Sequence, residues 1–222
     1  MGREASDYTA AVFAYCLSAN SVTIWKDVDG ILNADPKKFK NTVLLEKISY
    51  DEAIELAFYG ASVVHPKTIQ PLQKKEIPLF VKSYNNPNAI GTCVSKSKEL
   101  FPKIPCYILK ENQILMSISS LDFSFTINDK TKSILNLLSN YKIKINLTQN
   151  SAISLTLCVD DDYNNIDKLT NELKSNFKIH IEKKLKLYTV RNLEKKSIDQ
   201  FKKGKNIIIE QLYNNTSQFI CR

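Results

Sequence analysis

The sequence predicts an α/β protein in which a parallel-sheet region precedes ferredoxin-like βαββαβ units. Helix and strand signals alternate through residues 1–100, which is typical of a parallel sheet covered by helices. After Pro102 the order becomes strand, helix, strand, strand, helix, strand, and a partial second round follows. We therefore divide the 222 residues into a first domain at 1–100 and a second region at 101–222, with the boundary near residues 98–104.

The predicted helices of the first domain begin at recognisable capping signals. Ser6 is a suitable N-cap for a helix that extends to Leu17. Ser49 and Glu52 form a capping box at the start of the next helix, and Pro66 suits the first turn of another. The predicted strands of this domain are residues 21–28 and 77–81.

The second region contains two predicted amphipathic helices. Asn128 is the expected N-cap of the first, and the second runs from Ile166 to Phe177. Little room remains for a further helix between Arg191 and Lys205. The predicted strands are residues 107–109, 114–118, 143–147, 153–159, 179–181, 187–190, 207–212 and 218–221.

The composition excludes several classes of protein. Lysine and arginine exceed aspartate and glutamate by 31 to 23, but the basic residues are scattered, so no nucleic-acid partner is predicted. No apolar run reaches the roughly 18 residues of a membrane span, so no membrane partner is predicted either. The five cysteines are odd in number and far apart, which indicates reduced thiols in the cytoplasm rather than a disulfide framework. With two histidines in the chain, we predict no metal site.

Two polar segments are candidates for ligand binding. GREASD at residues 2–7 places a guanidinium group, backbone donors and a carboxylate at a helix start, which suits an anionic group. Residues 25–30 span the end of a predicted strand, where α/β folds bind ligands, and Lys26 and Lys37 can meet phosphate charge. The alternative is a capped helix and a loop with solvated charges.

Four segments, taken together and in order, resemble the motifs of aspartate kinases. GREASDYTAA at 2–11 resembles the family's Gly-Arg-Gly-Gly-Ser-Asp-Tyr-Thr-Ala, and WKDVDGILNADPK at 25–37 resembles its Trp-Thr-Asp-Val-x-Gly-x-x-x-x-Asp-Pro-Arg. Residues 59–69 and 78–92 resemble its Gly-Ala-Lys-Val-x-His-Pro and Ile-Pro-to-Gly-Thr segments. The rest of the chain looks like tandem ACT domains. The chain thus resembles the C-terminal part of the amino-acid-kinase domain followed by ACT domains.

The resemblance implies transfer of a phosphoryl group from ATP, with Mg²⁺, to the side chain of L-aspartate. The product is 4-phospho-L-aspartate, which enters lysine, threonine and methionine synthesis. By resemblance, the substrate-binding residues are Arg3, Ser6 and Asp7, and Asp7 is also the catalytic candidate. The positions that match ATP contacts are Lys26, Asp27, Leu32 and Lys37. His65 matches a helix cap and is interpreted as structural.

The sequence also departs from the family pattern. Glu4 and Ala5 replace two glycines of the first motif, and Ser62 replaces a lysine. The family's N-terminal half, with its phosphate-binding loop, has no counterpart in this sequence. Because such electrostatic groups contribute several kcal/mol each, we expect no appreciable kinase activity from this chain alone. A separate polypeptide carrying that half is a candidate partner.

The regulatory part departs from the family at two effector positions. Asp129 stands about where the family usually has a glycine, and Asn146 stands where it has the carboxylate that holds a lysine effector. Loss of a charge-assisted hydrogen bond of roughly 1.5–3 kcal/mol predicts lysine binding weakened about ten- to a hundredfold. By the same resemblance, allosteric ACT domains imply a homodimer.

Two other functions are weighed against the kinase. The first is a non-catalytic module that binds an amino acid for regulation or dimerisation, which the ACT-like pair and the missing half favour. The second is an RNA-binding module, which needs stacking aromatic residues on its central strands. The predicted strands at 143–147 and 153–159 carry none, so we set this function aside.

Overall fold

A computed structural model of the chain describes residues 5–61, 63–97, 99–121, 127–193 and 195–222. The chain forms two compact units. The first comprises the described residues up to Leu109, with Tyr188–Gly204 and Glu210–Gln218. The second comprises Lys110–Leu187, Lys205–Ile209 and Phe219–Arg222. The sequence predicts a single boundary near residues 98–104. In the structure the C-terminal part of the chain contributes segments to both units, so one boundary does not separate them.

The N-terminal part of the first unit alternates helices and strands, as the sequence predicts. Strands β2 and β4 are additions to the prediction, since three or four residues are too short to show a periodic pattern. The elements are α1 (Ala5–Leu17), β1 (Val22–Lys26), β2 (Lys47–Ser49), α2 (Tyr50–Tyr59), α3 (Pro66–Lys74), β3 (Leu79–Ser83) and β4 (Thr92–Ser95).

These strands form a four-stranded sheet in the order β1-β3-β4-β2. Strands β1 and β3 are parallel, and so are β2 and β4, but β3 and β4 are antiparallel. The sheet is therefore mixed rather than wholly parallel. The reason is that β4 follows β3 without a helix between them, and a short connection joins antiparallel strands.

One face of this sheet carries the core of the first unit. Val22 and Ile24 of β1 lie beside Leu79 and Val81 of β3, and all four are buried. The same hydrophobic cluster includes Ala11 of α1 and buried side chains of α3. The alternation of buried and exposed residues along β1 shows that this face is covered and that the opposite face at β1 is exposed.

The cap predictions for the helices of the first unit are confirmed for α2 and α3, but the prediction for Ser6 is wrong, because α1 begins at Ala5 and Ser6 lies inside it. The Ser49 hydroxyl accepts a hydrogen bond from the Glu52 backbone N–H at 3.0 Å, as a capping box requires. Nδ1 of His65 accepts from the Lys67 backbone N–H at 3.1 Å, so His65 is the N-cap of α3. Gly60 ends α2 with a φ of 121°, which favours glycine.

The remainder of the chain begins with the predicted ferredoxin-like unit. Its first four strands lie in the order β6-β7-β5-β8, and β7 pairs antiparallel with both β5 and β6. This order confirms the βαββαβ prediction. The sheet continues through β10 to β9. The elements are β5 (Cys106–Ser120), α4 (Ile127–Asn140), β6 (Lys144–Asn150), β7 (Ser154–Asp160), α5 (Ile166–Leu173), β8 (Phe177–Arg191), α6 (Lys195–Lys202), β9 (Ile207–Tyr213) and β10 (Thr216–Cys221).

Hydrophobic clusters lie on both faces of the sheet in the second unit. One contains Ile134 and Leu138 of α4 and Leu169 of α5, packed with buried side chains of β5 and β7. The other cluster lies on the opposite face of the sheet and contains Leu115 of β5 and Leu185 of β8. Burial of both faces explains why three consecutive residues of β7, Leu157–Val159, are apolar and buried.

Several local predictions for this region are wrong. Phe177 begins β8 and does not end the preceding helix, and Asn128 lies inside the first turn of α4 rather than before it. An eight-residue helix, α6, occupies the segment where we expect little room. Phe201 fixes it within the first unit, because its ring centroid lies 4.8 Å from that of Tyr107 and 5.6 Å from that of Tyr188.

Candidate functional site

A cation and a carboxylate meet where β1 ends and α1 begins. Lys26 is the last residue of β1, and its Nζ donates a hydrogen bond to Oδ2 of Asp7 at 2.6 Å. The two side chains are only 22% and 10% exposed, so the ion pair is largely shielded from solvent. Asp7 lies in the first turn of α1, where the positive end of the helix dipole favours negative charge. The pair therefore lies at the kind of sheet edge where α/β folds bind anionic ligands.

Close backbone packing fixes the loop that follows β1. Gly30 has a φ of 149°, and a Cβ there would lie 2.6 Å from Oγ1 of Thr92. That same Oγ1 accepts a hydrogen bond from the buried Ile31 backbone N–H at 2.8 Å. A Cβ on Gly91 would lie 2.4 Å from the Val81 carbonyl oxygen. The two glycines and Thr92 thus hold the loop against the sheet.

Further along the loop, polar side chains brace the backbone. Asn33 Oδ1 accepts from the Val43 backbone N–H at 2.8 Å, and Asn33 Nδ2 donates to the Pro105 carbonyl at 3.1 Å. Asp35 Oδ1 accepts from the Lys37 backbone N–H at 2.9 Å. The side chain of Lys37 is exposed above this turn. The loop is therefore ordered while it presents a lysine to solvent.

The structure brings two of the predicted site residues, Asp7 and Lys26, into direct contact. Ser6 and Asp27 are exposed near them in sequence, and Leu32 is half-buried in a bridge with Leu44. The predictions for Arg3, Glu4 and Ser62 lie outside the described residues. The structure places Asp129 in the first turn of α4, but its side chain is outside the described part.

Asn146, the second effector candidate, lies in a polar network of the second unit. Its Oδ1 accepts from Lys110 Nζ at 2.7 Å. Its Nδ2 donates to Gln113 Oε1 and to Asp160 Oδ2, both at 2.8 Å. Lys110 Nζ also lies 3.7 Å from Asp160 Oδ2. Both hydrogen-bonding ends of the Asn146 amide are therefore engaged by the protein itself.

Burial changes the proton affinity of groups in this network. It lowers the pKa of the Lys110 ammonium below its ordinary value, and nearby Lys144 lowers it further, against the pull of Asp160. Burial also raises the pKa of the Cys158 thiol to about 12, with a smaller contribution from Asp160. Cys158 Sγ lies 3.4 Å from Gln113 Oε1, where it acts as a donor. This thiol is therefore a structural group rather than a nucleophile.

A second cluster, in the first unit, has no counterpart in the sequence predictions. Arg191, at the end of β8, donates from Nε and Nη2 to the two carboxylate oxygens of Glu52 at 2.9 and 2.7 Å. Its Nη1 donates to Glu55 at 2.9 Å, and its guanidinium lies over the Tyr59 ring. In a capping box the Glu52 carboxylate is expected to accept a hydrogen bond from the Ser49 backbone N–H. In the structure this carboxylate binds Arg191 instead. Because the partners are 139 positions apart, no local pattern indicates this contact.

The described residues contain no group of three or more histidine, cysteine, aspartate or glutamate side chains arranged to hold a metal ion. All five cysteines are free thiols. Within the described part of the chain, no helix is long and apolar enough to cross a membrane.

Comparisons with known proteins identify the family. The sequence model of the amino acid kinase family matches residues 1–83. The lysine-sensitive aspartokinase 3 of Escherichia coli is 36% identical over 160 residues, which are 72% of this chain and 35% of that protein. The chain belongs to the aspartokinase family. The match to the amino acid kinase model confirms the resemblance predicted from the four motifs of the first domain.

Solved structures of aspartokinases share the fold. The crystal structure of E. coli aspartokinase III with lysine and aspartate superposes with a TM-score of 0.81 at 30% identity. It covers 99% of this chain and 52% of the crystallised chain. The same enzyme with aspartate and ADP gives a TM-score of 0.81 at 29% identity, over 99% of this chain and 53% of the other. The predicted fold class is confirmed, and the chain spans about half the length of these structures and about a third of the aspartokinase 3 sequence.

Proposed function

We propose that this chain is the nucleotide-binding and regulatory part of an aspartate kinase in lysine, threonine and methionine biosynthesis. The complete enzyme would transfer the γ-phosphoryl group of ATP to a side-chain carboxylate oxygen of L-aspartate. The bond between the γ-phosphorus and the oxygen that bridges it to the β-phosphate breaks. The products are 4-phospho-L-aspartate and ADP. The observation that carries the proposal is the shielded Asp7–Lys26 pair at the carboxyl end of β1.

The Asp7 side of this pair is assigned to the amino acid substrate. Asp7, with Ser6 and Arg3, would bind the polar groups of L-aspartate at the start of α1. The aspartokinase III structure that contains aspartate supports this choice of substrate. Lys26 contacts the Oδ2 atom of Asp7, and a carboxylate has capacity to accept a further hydrogen bond from the substrate ammonium group.

The Lys26 side and the loop after β1 are assigned to ATP. Lys26 and Lys37 would neutralise phosphate charge, and Asp27 and Leu32 would contact the rest of the nucleotide. Phosphoryl transfer depends mainly on such positioning and charge neutralisation. Mg²⁺ would enter as the complex with ATP, bound chiefly by the phosphates and by water.

The test is aspartate-dependent formation of an acyl phosphate, trapped as aspartyl hydroxamate. We expect the 222-residue chain alone to show no appreciable turnover. We expect activity when the segment of E. coli aspartokinase 3 that precedes the matched region is fused upstream. In this fused enzyme, Lys26→Met should lower kcat/KM about a hundred- to a thousandfold, as expected for a lost electrostatic group.

The matched control is Lys40→Met, because Lys40 is an exposed lysine of the same loop. It should change kcat/KM less than about twofold, since a solvated charge contributes little. A fused enzyme that folds but forms no hydroxamate contradicts the proposal. Saturable binding of an amino acid without nucleotide binding would instead support the non-catalytic regulatory module.

We propose that feedback by lysine is weak in this protein. Asn146 carries no charge, and its amide is engaged by Lys110, Gln113 and Asp160. A lysine effector would have to compete with the internal ammonium of Lys110 for this acceptor. Calorimetric titration with lysine should show no saturable binding in the micromolar range, and tight binding would refute the proposal.

The proposed setting is the cytoplasm, and the proposed assembly is a homodimer through the ferredoxin-like region.

A further inference from the structure

The loop that follows β1 contains a compact turn that carries Lys37. The backbone N–H of Phe39 donates to the Asp35 carbonyl oxygen at 2.9 Å, and that of Lys38 donates to the same oxygen at 3.0 Å. Since the Asp35 carboxylate also binds the Lys37 N–H, residues 35–39 form one hydrogen-bonded turn. The Phe39 side chain is half-buried, whereas the other four side chains of the turn are exposed. The turn therefore presents Lys37 to solvent and is anchored through Phe39.

Phe39 belongs to a cluster of four aromatic rings in the first unit. Its ring centroid lies 6.0 Å from that of Tyr107 in β5 and 6.3 Å from that of Phe201 in α6. The Phe201 ring is central to the cluster, because its centroid also lies 4.8 Å from that of Tyr107 and 5.6 Å from that of Tyr188. Aromatic pairs attract each other at centroid separations of about 4.5–7 Å. The cluster thus connects the turn to α6.

Hydrogen bonds hold the same stretch of the loop against β5. The Tyr107 backbone N–H donates to the Asn33 carbonyl oxygen at 2.7 Å, and Ala34 forms a parallel bridge with Tyr107. Nζ of Lys38 donates to the Leu109 carbonyl oxygen at 3.0 Å. The backbone bonds hold the loop just before the turn, and the ring cluster holds the residue that closes the turn. The segment that carries Lys37 is therefore supported at both ends.

We propose that Phe39 and Phe201 are positioning residues for the nucleotide, because they hold the turn that presents Lys37 to the phosphates of ATP. Neither ring contacts a substrate in this arrangement, and both act through the turn. A turn that is ordered before ATP binds loses little conformational freedom on binding, so an anchored loop binds the nucleotide more tightly than a loose one. This inference rests on the proposed function, which assigns Leu32 and Lys37 to ATP.

An aromatic cluster can also serve stability alone, and the two roles give different results. For a purely structural cluster, loss of a ring lowers the free energy of unfolding but leaves the KM for ATP of the folded enzyme unchanged. For a positioning cluster, the KM for ATP rises. The geometry favours positioning, because the N–H of Phe39 closes the turn that contains Lys37.

The first measurement is hydrogen exchange in the 222-residue chain itself. Phe201→Leu removes the central ring but keeps an apolar side chain. The amides of residues 35–45 should then exchange at least about fivefold faster than in the unsubstituted chain, because local opening becomes easier. The amides of β3, which lies outside the cluster, should exchange at an unchanged rate. Unchanged exchange in residues 35–45 overturns the inference.

The second measurement is the steady-state kinetics of the fused enzyme. Phe201→Leu should raise the KM for ATP at least about fivefold, while kcat and the KM for aspartate change less than about twofold. Phe39→Leu should have the same effect, and the double variant should be no worse than the worse single variant, because both rings act through one turn. Phe201→Tyr keeps the ring and should stay within about twofold of the parent enzyme.

Phe58→Leu is the matched control, because Phe58 forms a separate aromatic pair in the first unit, with its centroid 5.3 Å from that of Tyr59. It should change no kinetic constant more than about twofold. Equal effects of Phe58→Leu and Phe201→Leu overturn the inference, and so does an effect on kcat alone. An active fused enzyme whose KM for ATP is unchanged by Phe201→Leu removes only this inference. A fused protein that forms no hydroxamate removes the proposed function, and the nucleotide role of Phe201 with it.

Discussion

Two buried threonines in the first unit differ in a single hydrogen bond. Thr92 and Thr68 are both fully buried, but the Thr92 hydroxyl accepts from the Ile31 N–H, whereas the Thr68 hydroxyl has no partner among the described residues. Thr92→Val should lower the free energy of unfolding by about 1–3 kcal/mol, because it leaves a buried N–H unpaired. Thr68→Val should leave it unchanged or raise it by about 1 kcal/mol. Urea unfolding measures both, and the same sign for both variants would contradict the argument.

Arg191 forms ion pairs with both Glu52 and Glu55 in the first unit. Arg191→Met should lower the free energy of unfolding by about 2–3 kcal/mol, because Glu52 would remain largely buried without its cation. Arg191→Lys should restore only part of this loss, since an ammonium cannot form the bidentate contact. Arg222→Met is the control: Arg222 binds Glu182 at an exposed site, and its loss should matter little. Full rescue by lysine in urea unfolding would disprove the role of the paired geometry.

At this scale the sequence reveals residue types more readily than contacts. The motifs single out Asp7 and Lys26 separately, and the sequence order of a helix start and a strand end places them at one sheet edge. The sequence contains no sign that Asp7 and Lys26 touch, and no sign that Glu52 binds Arg191 across 139 positions. Contacts of this kind depend on the tertiary fold, which no local window contains.

At the scale of elements, continuous strands are the main difference between prediction and structure. Strands β5 and β8 are each predicted as two shorter strands, because polar residues interrupt the apolar pattern in their middles. The structure keeps both continuous over 15 residues, with a positive φ of 55° at Asn112 and 63° at Lys184. The local irregularity interrupts the side-chain alternation but not the strand. The helices with clear caps and stripes, by contrast, are predicted to within a few residues.

The network around Asn146 joins three strands and allows a prediction for the second unit. Lys110→Met should lower the free energy of unfolding by about 1–3 kcal/mol, because it removes the cation beside Asp160 and the donor to Asn146. The double variant Lys110→Met/Asp160→Asn should lose less than the sum of the single variants, since the carboxylate no longer needs compensation. Strict additivity in a double-mutant cycle would contradict a coupled network.

At the scale of the whole molecule, buried acidic groups predict a loss of stability in alkali. Burial raises the pKa of Cys106, Cys158 and Tyr50 to about 12 in the folded protein, from ordinary values of 9.0 for the thiols and 10.0 for the phenol. Between those values the unfolded chain loses protons that the folded chain keeps. The free energy of unfolding should therefore be nearly constant between pH 7 and pH 9. It should then fall by about 1.4 kcal/mol per pH unit for each thiol, and Tyr50 should add an equal slope above pH 10.

Lys110 opposes this trend, because its lowered pKa makes a rise in pH favour the folded state. Cys106→Ala and Cys158→Ala should each reduce the alkaline slope while leaving the free energy of unfolding constant between pH 7 and pH 9. Urea unfolding at a series of pH values under reducing conditions measures the slope. A slope unaffected by either substitution would mean that the thiols ionise in the folded protein.

Trp25 is the only tryptophan of the chain, and it lies half exposed on strand β1. Its indole is thus a natural optical reporter next to Lys26, the residue of β1 that pairs with Asp7. Emission from the free chain should be that of a solvated indole, and a ligand or partner that covers the exposed side of β1 should shift it to shorter wavelengths. Binding at this end of the sheet can therefore be followed in real time by intrinsic fluorescence, without any label.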